Sequence, residues 1–125
     1  MKKIFVMSSM ALLLSAMPAD TPITREGDTT VVNTTTLAKD VEGYNGRTPV
    51  KIYIKKDKIV KVEALPNHES PQYLAKAKAV LKKFEGKQVS KIKTLKVDAV
   101  TGATFTSEAL VKNVKKGVAH YQEKR

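Results

Sequence analysis

The sequence predicts an α+β fold, an antiparallel β-meander packed with two helices. Three observations carry this expectation. Residues 50–64 alternate apolar and polar in two arms, two later stretches repeat apolar residues at helical spacing, and the 125-residue chain has no cysteine. Period two buries one face of a sheet. Spacings of three and four bury one stripe of a helix. Without disulfides, such a chain rests on one modest hydrophobic core, which this length allows.

At the N-terminus, Lys2 and Lys3 precede the apolar stretch Ile4 to Ala16, which is short for a bilayer span. Ala16 and Ala19 are small residues placed for cleavage. Residues 1–19 are therefore expected to be a secretory signal peptide, with an uncleaved interfacial anchor as the alternative. The expected location is the periplasm or cell envelope. Without cysteine the chain cannot be a lipoprotein. Residues 20–28 are polar, contain Pro22 and Gly27, and are expected as a flexible lead-in. The domain then spans 29–122.

Within it, Thr29 to Ala38 is rich in β-branched residues and suits an edge strand. Gly43-Tyr44-Asn45-Gly46 marks a turn. In the hairpin, Val50, Ile52 and Ile54 alternate with Lys51, Tyr53 and Lys55, and Val60, Val62 and Ala64 alternate with Lys61 and Glu63. Lys56-Asp57-Lys58 must turn the chain without a glycine. Ser70 and Pro71 open the first helix, whose stripe is Tyr73, Ala77, Val80, Leu81 and Phe84 and whose end is Gly86. Val89, Ile92, Leu95 and Val97 suggest a further strand. The second helix is expected from Ser107 to about Tyr121, with Leu110, Val111, Val114, Val118 and Tyr121 buried. Gly117 costs this helix about 1 kcal/mol against alanine, which close packing on the sheet would justify. The charged tail, Gln122 to Arg125, is expected to fray.

The chemistry concentrates between Lys96 and Ser107. An apolar run ends in Asp98, a tight turn follows, and a helix begins. Gly102 has no Cβ, so it can take a positive φ or let a ligand approach the backbone. Ala103 keeps the corner thin, and Thr104 and Thr106 stand where helix caps are wanted. The first N–H groups of a helix have no internal partners, and the helix dipole adds positive charge there. This makes an anion-friendly corner with a hydroxyl beside it. On these residues alone, a capped turn without a ligand accounts for the same pattern.

The heptapeptide Asp98-Ala99-Val100-Thr101-Gly102-Ala103-Thr104 resembles the flavinylation motif of FMN-binding domains, Asp-x-x-(Ser/Thr)-Gly-Ala-Thr. Such domains occur in the FMN-carrying subunits of Na⁺-pumping NADH:quinone reductases and related ion-pumping complexes, and as small exported modules. The resemblance covers roughly Val41 to Val118. Gly43-Tyr44-Asn45-Gly46 and the hairpin look like the family's meander, and Glu69-Ser70-Pro71 is similar to its Glu-(Ser/Thr)-Pro helix opening. Gln72 and Tyr73 stand where glycines often follow.

The resemblance implies an FMN-binding-domain-like fold and FMN held through a phosphoester on Thr104, attached by a separate flavin transferase with FAD as donor. Asp98, Thr101, Gly102, Ala103, Phe105 and Thr106 would complete the cofactor site. Phe105 adjoins the acceptor and is the first choice for contact with the isoalloxazine ring, ahead of Tyr44, Tyr53 and Tyr73. Asp98 would cap the corner, contact the transferase, or both. The implied role is an extracytoplasmic electron carrier serving redox partner proteins of the cell envelope, rather than a self-sufficient enzyme.

The formal net charge is +11, and +9 without Lys2 and Lys3. The lysines are spread along the chain with no Arg-rich arm or basic-aromatic platform, so nucleic acid is not an expected partner. A lysine surface suits an acidic redox partner or peripheral contact with an anionic membrane. His68 and His120 read as surface residues rather than metal ligands, and no nucleophile-base-acid set is visible. Two other readings stay open: an exported binding module without flavin, and a domain that binds FMN non-covalently.

Overall fold

The computed structural model describes residues 21–125, and the expected signal peptide lies outside them. Four strands, β1 (Ile23–Glu26), β2 (Thr29–Asn33), β3 (Val50–Lys55) and β4 (Lys58–Ala64), form one antiparallel sheet in chain order. Helices α1 (Pro71–Ala77) and α2 (Ala79–Lys82) follow, then a 3₁₀ turn at Val89–Lys91, then the long helix α3 (Thr104–Lys124). The architecture is α+β, as the sequence predicts. Among the described residues, no helix is long and apolar enough to cross a membrane.

Alternation decides which face of the sheet is covered. Val32, Val50, Ile52, Ile54, Ile59 and Val62 point to one side and are buried. They meet Val80, Leu81 and Phe84 from the α1–α2 region and Leu110, Val114 and Val118 from α3. The second arm of the hairpin departs from the expected register. Ile54 pairs with Ile59 and Tyr53 with Lys61, leaving Val60 in a bulge and exposed. A bulge adds one residue to one strand and shifts the alternation beyond it. Ile59, not Val60, therefore enters the core.

Four further expectations are corrected. Ile23–Glu26, assigned to the lead-in, pairs with β2 from Ile23↔Val32 to Glu26↔Thr29. This places β2 inside the sheet rather than at its edge. The first helix breaks at Lys78 into α1 and α2. Val89 to Val97 is not a strand, because Val89, Ile92 and Leu95 recur every third residue, and a 3₁₀ turn has three residues per turn. Val89 and Ile92 drop into the core, and the chain from Leu95 to Val100 runs outside the sheet.

Gly117 explains how close α3 lies to the sheet. A Cβ there would stand 2.6 Å from Ile52 Cδ1 and 2.8 Å from Thr34 Cγ2. A buried polar network fixes the same contact. The Thr34 hydroxyl donates to Asn113 Oδ1 at 2.6 Å and accepts from the Val50 N–H at 2.9 Å, while Asn113 Nδ2 donates to the Ala109 carbonyl at 2.9 Å. Among the described residues, no buried side-chain polar atom lacks a partner.

The far end of α3 is tied down rather than frayed. The helix continues to Lys124, and Tyr121 and Arg125 both donate to the Asp57 carboxylate, Tyr121 at 2.5 Å. Asp57 sits in the β3–β4 turn, where Lys56 and Asp57 take positive φ values of 52° and 60° without being glycine. The Tyr121 hydroxyl, and after it the Arg125 guanidinium, hold the Asp57 carboxyl below its usual range. Burial, then the bond to Asp57, push the Tyr121 phenol up.

Candidate functional site

The chain arrives at α3 along a segment that belongs to no strand or helix, so the corner joins coil to helix and not strand to helix. Lys115, on α3, donates from Nζ to the Leu95 carbonyl at 2.7 Å. The Val100 N–H donates to Ser107 Oγ at 3.1 Å, and the Ala103 N–H to the Val100 carbonyl at 2.9 Å. These bonds close a four-residue turn from Val100 to Ala103. Its third residue, Gly102, has φ +87°, a conformation that costs a side-chain-bearing residue energy.

The helix begins one residue earlier than a cap at Thr104 would require, and three earlier than a cap at Thr106. Ala103 occupies the N-cap position, with no side chain able to accept a bond. Among the described residues, the N–H groups of Thr104, Phe105 and Thr106 have no partner, and neither does the exposed Thr104 hydroxyl. Thr104 and Thr106 have diverged in role. Thr106 is buried and donates its hydroxyl to Glu69 Oε1 at 2.5 Å. Thr104 faces solvent at the positive end of a long helix.

Glu69 is the anchor of the site, and sequence reasoning did not identify it as one. The side chain is buried, at 5% exposure, just before α1. Its carboxylate accepts from the Tyr44 N–H at 2.9 Å, from the Asn45 N–H and from the Thr106 hydroxyl. One side chain thereby joins the 43–46 loop to the first turn of α3. Gly43 leaves room for it, since a Cβ there would stand 2.5 Å from Glu69 Oε1. Glu69-Ser70-Pro71 was a visible signal, but its partners at 44, 45 and 106 follow no local spacing.

The clamp sets three aromatic rings beside Thr104. Tyr44 and Phe105 stack with ring centroids 6.4 Å apart and planes 19° from parallel. Tyr73 meets Tyr44 edge-on at 5.8 Å. Tyr44 is 61% and Phe105 63% exposed, although aromatic residues usually bury most of their area. Together with Gly102, Ala103, Thr104 and Thr106, the three rings line an open cleft of about 220 Å³. Across the corner stands Lys76, whose Nζ lies 3.5 Å from the position a Cβ on Gly102 would take.

Five of the seven residues expected at the site line this cleft: Gly102, Ala103, Thr104, Phe105 and Thr106. Thr101 and Asp98 are exposed on the approach to it. Asp98 makes no hydrogen bond among the described residues and does not cap α3. Of the other aromatic candidates, Tyr44 and Tyr73 reach the cleft. Tyr53 lies on the sheet, bonded to Glu63 with Lys61 over its ring. Among the described residues, no cluster of three or more His, Asp or Glu could hold a metal.

Comparison with curated proteins gives no match. A family model does match: the FMN-binding domain, over residues 43–119. The matched span starts at the Glu69-held loop and ends within α3, so it contains every residue of the cleft. Apolar rings, free N–H donors and a hydroxyl in one open cleft are a donor set that fits a flavin with a phosphate tail. The chain belongs to the FMN-binding domain family, and FMN is its cofactor.

Proposed function

We propose that this protein carries FMN covalently on Thr104 and serves as an electron carrier outside the cytoplasm. The observation that carries this reading is Thr104 itself. Its hydroxyl is exposed, ends the Asp98–Thr104 motif, and among the described residues is unbonded and adjoins three unpaired N–H groups at the start of α3. A hydroxyl needed only as a cap would accept a backbone bond, as Ser107 Oγ does from Val100. In the attachment step, Thr104 Oγ1 forms a bond to the FMN-side phosphorus of FAD. The pyrophosphate bond breaks, AMP leaves, and the hydroxyl proton passes to the transferase or solvent.

Once bound, FMN supplies one- and two-electron chemistry, and the protein supplies position and field. Gly102 and Ala103 keep backbone bulk away from the acceptor. The N–H groups of Thr104, Phe105 and Thr106 offer the phosphate charge-assisted bonds. Tyr44 and Phe105 offer ring faces. A cleft this open would leave bound flavin within reach of partner proteins, which suits electron transfer between them. Redox partners of the cell envelope, a flavin transferase and peripheral membrane contact belong to the same proposal. The Lys2–Ala19 pattern and the +11 charge support it.

Intact mass spectrometry of the denatured protein, expressed with a flavin transferase, tests the reading. The expected result is added mass equal to one FMN less one water, mapped to Thr104. A yellow protein that loses its colour on denaturation would replace the covalent reading with simple FMN binding. An unmodified, colourless chain from a host that flavinylates another target would leave an extracytoplasmic binding module without covalent flavin.

A further inference from the structure

We propose that Lys76 is the counter-ion of the flavin phosphate and the residue by which this site selects a phosphorylated flavin. The inference rests on the attachment reading for Thr104. Lys76 belongs to the last turn of α1, yet its ammonium reaches across to the turn that precedes α3. Among the described residues, outside the chain neighbours of Gly102, it is the one group within 4 Å of the space a Cβ would fill there. A Cβ there would meet the ammonium at ordinary contact distance, 3.5 Å, so the charge lies beside the turn, two residues from the acceptor.

The charge is uncommitted. Neither the ion pairs nor the side-chain hydrogen bonds of the described residues include Lys76. The carboxylate that closes this region, Glu69, is occupied by three donors. A phosphodiester on Thr104 would carry one negative charge. The start of α3 answers it with free N–H groups and partial positive charge. Lys76 adds a full cation from the facing element, with three rotatable donors that suit tetrahedral oxygens. Glycine at 102 keeps the path between them open.

Two sets of variants test this. Wild type, Lys76→Gln, Lys76→Arg and a remote control, Lys82→Gln, are expressed with a flavin transferase and loading is confirmed by mass. Phosphorus NMR then reads the tethered phosphate against added salt. The expected result is a salt-dependent resonance in wild type and Lys82→Gln, an altered and salt-insensitive one in Lys76→Gln, and recovery in Lys76→Arg. In the second set, Thr104→Val removes the tether and isolates non-covalent binding. Adding Lys76→Gln should weaken FMN binding about tenfold, as expected for loss of one charge-assisted bond, and leave riboflavin binding unchanged. Equal losses for FMN and riboflavin, or an unchanged phosphorus resonance in loaded Lys76→Gln, would overturn the assignment. Wild type that emerges without covalent FMN overturns the Thr104 reading, and the Lys76 assignment falls with it.

Discussion

The two ends of α3 are built on opposite plans. At its C-terminal end, Tyr121 and Arg125 converge on Asp57, and the helix is held to the hairpin turn. At its N-terminal end, the cap is an alanine, three N–H groups are free among the described residues, and Phe105 is 63% exposed. Between them, Gly117 and Asn113 seat the helix on the sheet. A helix start left without a side-chain cap forgoes about 1 kcal/mol. The protein recovers rigidity there through Glu69, which braces the corner from behind and leaves its front open. Binding capacity and stability are thus placed at different ends of one element.

The sharpest way to break the comparison is Thr104→Val. Valine keeps the shape and removes the hydroxyl, so covalent flavin should fall to zero by mass while stability stays within about 0.5 kcal/mol. Glu69→Ala should blur the contrast instead. It leaves the Tyr44 and Asn45 N–H groups and the Thr106 hydroxyl without their acceptor, a loss of about 3 kcal/mol in urea unfolding. The near-ultraviolet circular dichroism of the Tyr44–Phe105 pair should weaken with it. Unchanged stability would deny Glu69 its bracing role.

Gly117→Ala acts on the middle of the helix. Its Cβ would crowd Ile52 and Thr34, costing roughly 1–3 kcal/mol, less the gain in helix propensity of up to about 1 kcal/mol. Calorimetry should record a lower Tm, with flavin loading retained. Asp57→Asn, at the closed end, should have the smallest effect. The Asp57 carboxyl is held below its ordinary value of 3.8, so its contribution is present above that pH and disappears as pH falls through the depressed value. The gap in Tm between wild type and Asp57→Asn should be open at neutral pH and close in acid. A gap that widens in acid would contradict the Tyr121–Asp57–Arg125 clamp.

Local rules made some of this legible in the sequence. The first arm of the hairpin was readable because Val50, Ile52 and Ile54 keep period two without interruption. The second arm was misregistered at Val60, since a bulge leaves no mark in an alternating pattern. Gly102 was readable because its turn needs a positive φ. The strand expected at Val89–Val97 failed because a spacing of three was read as loose alternation. β1 was missed because a short polar strand forms only when a partner edge is offered, and β2 offers it. The Glu69 brace and the reach of Lys76 were not readable at all. Both depend on segments distant in sequence and brought together only by the fold.

The stacked pair of exposed rings also has a colloidal consequence. Tyr44 and Phe105 form a small apolar patch on a molecule kept apart from its copies by lysine repulsion. That repulsion reaches about 10 Å at 0.1 M salt and only about 3 Å at 1 M. In brine, two flavin-free molecules could meet ring to ring before their charges pushed back. Solubility of the unloaded chain should therefore fall as salt rises, and light scattering would register it first.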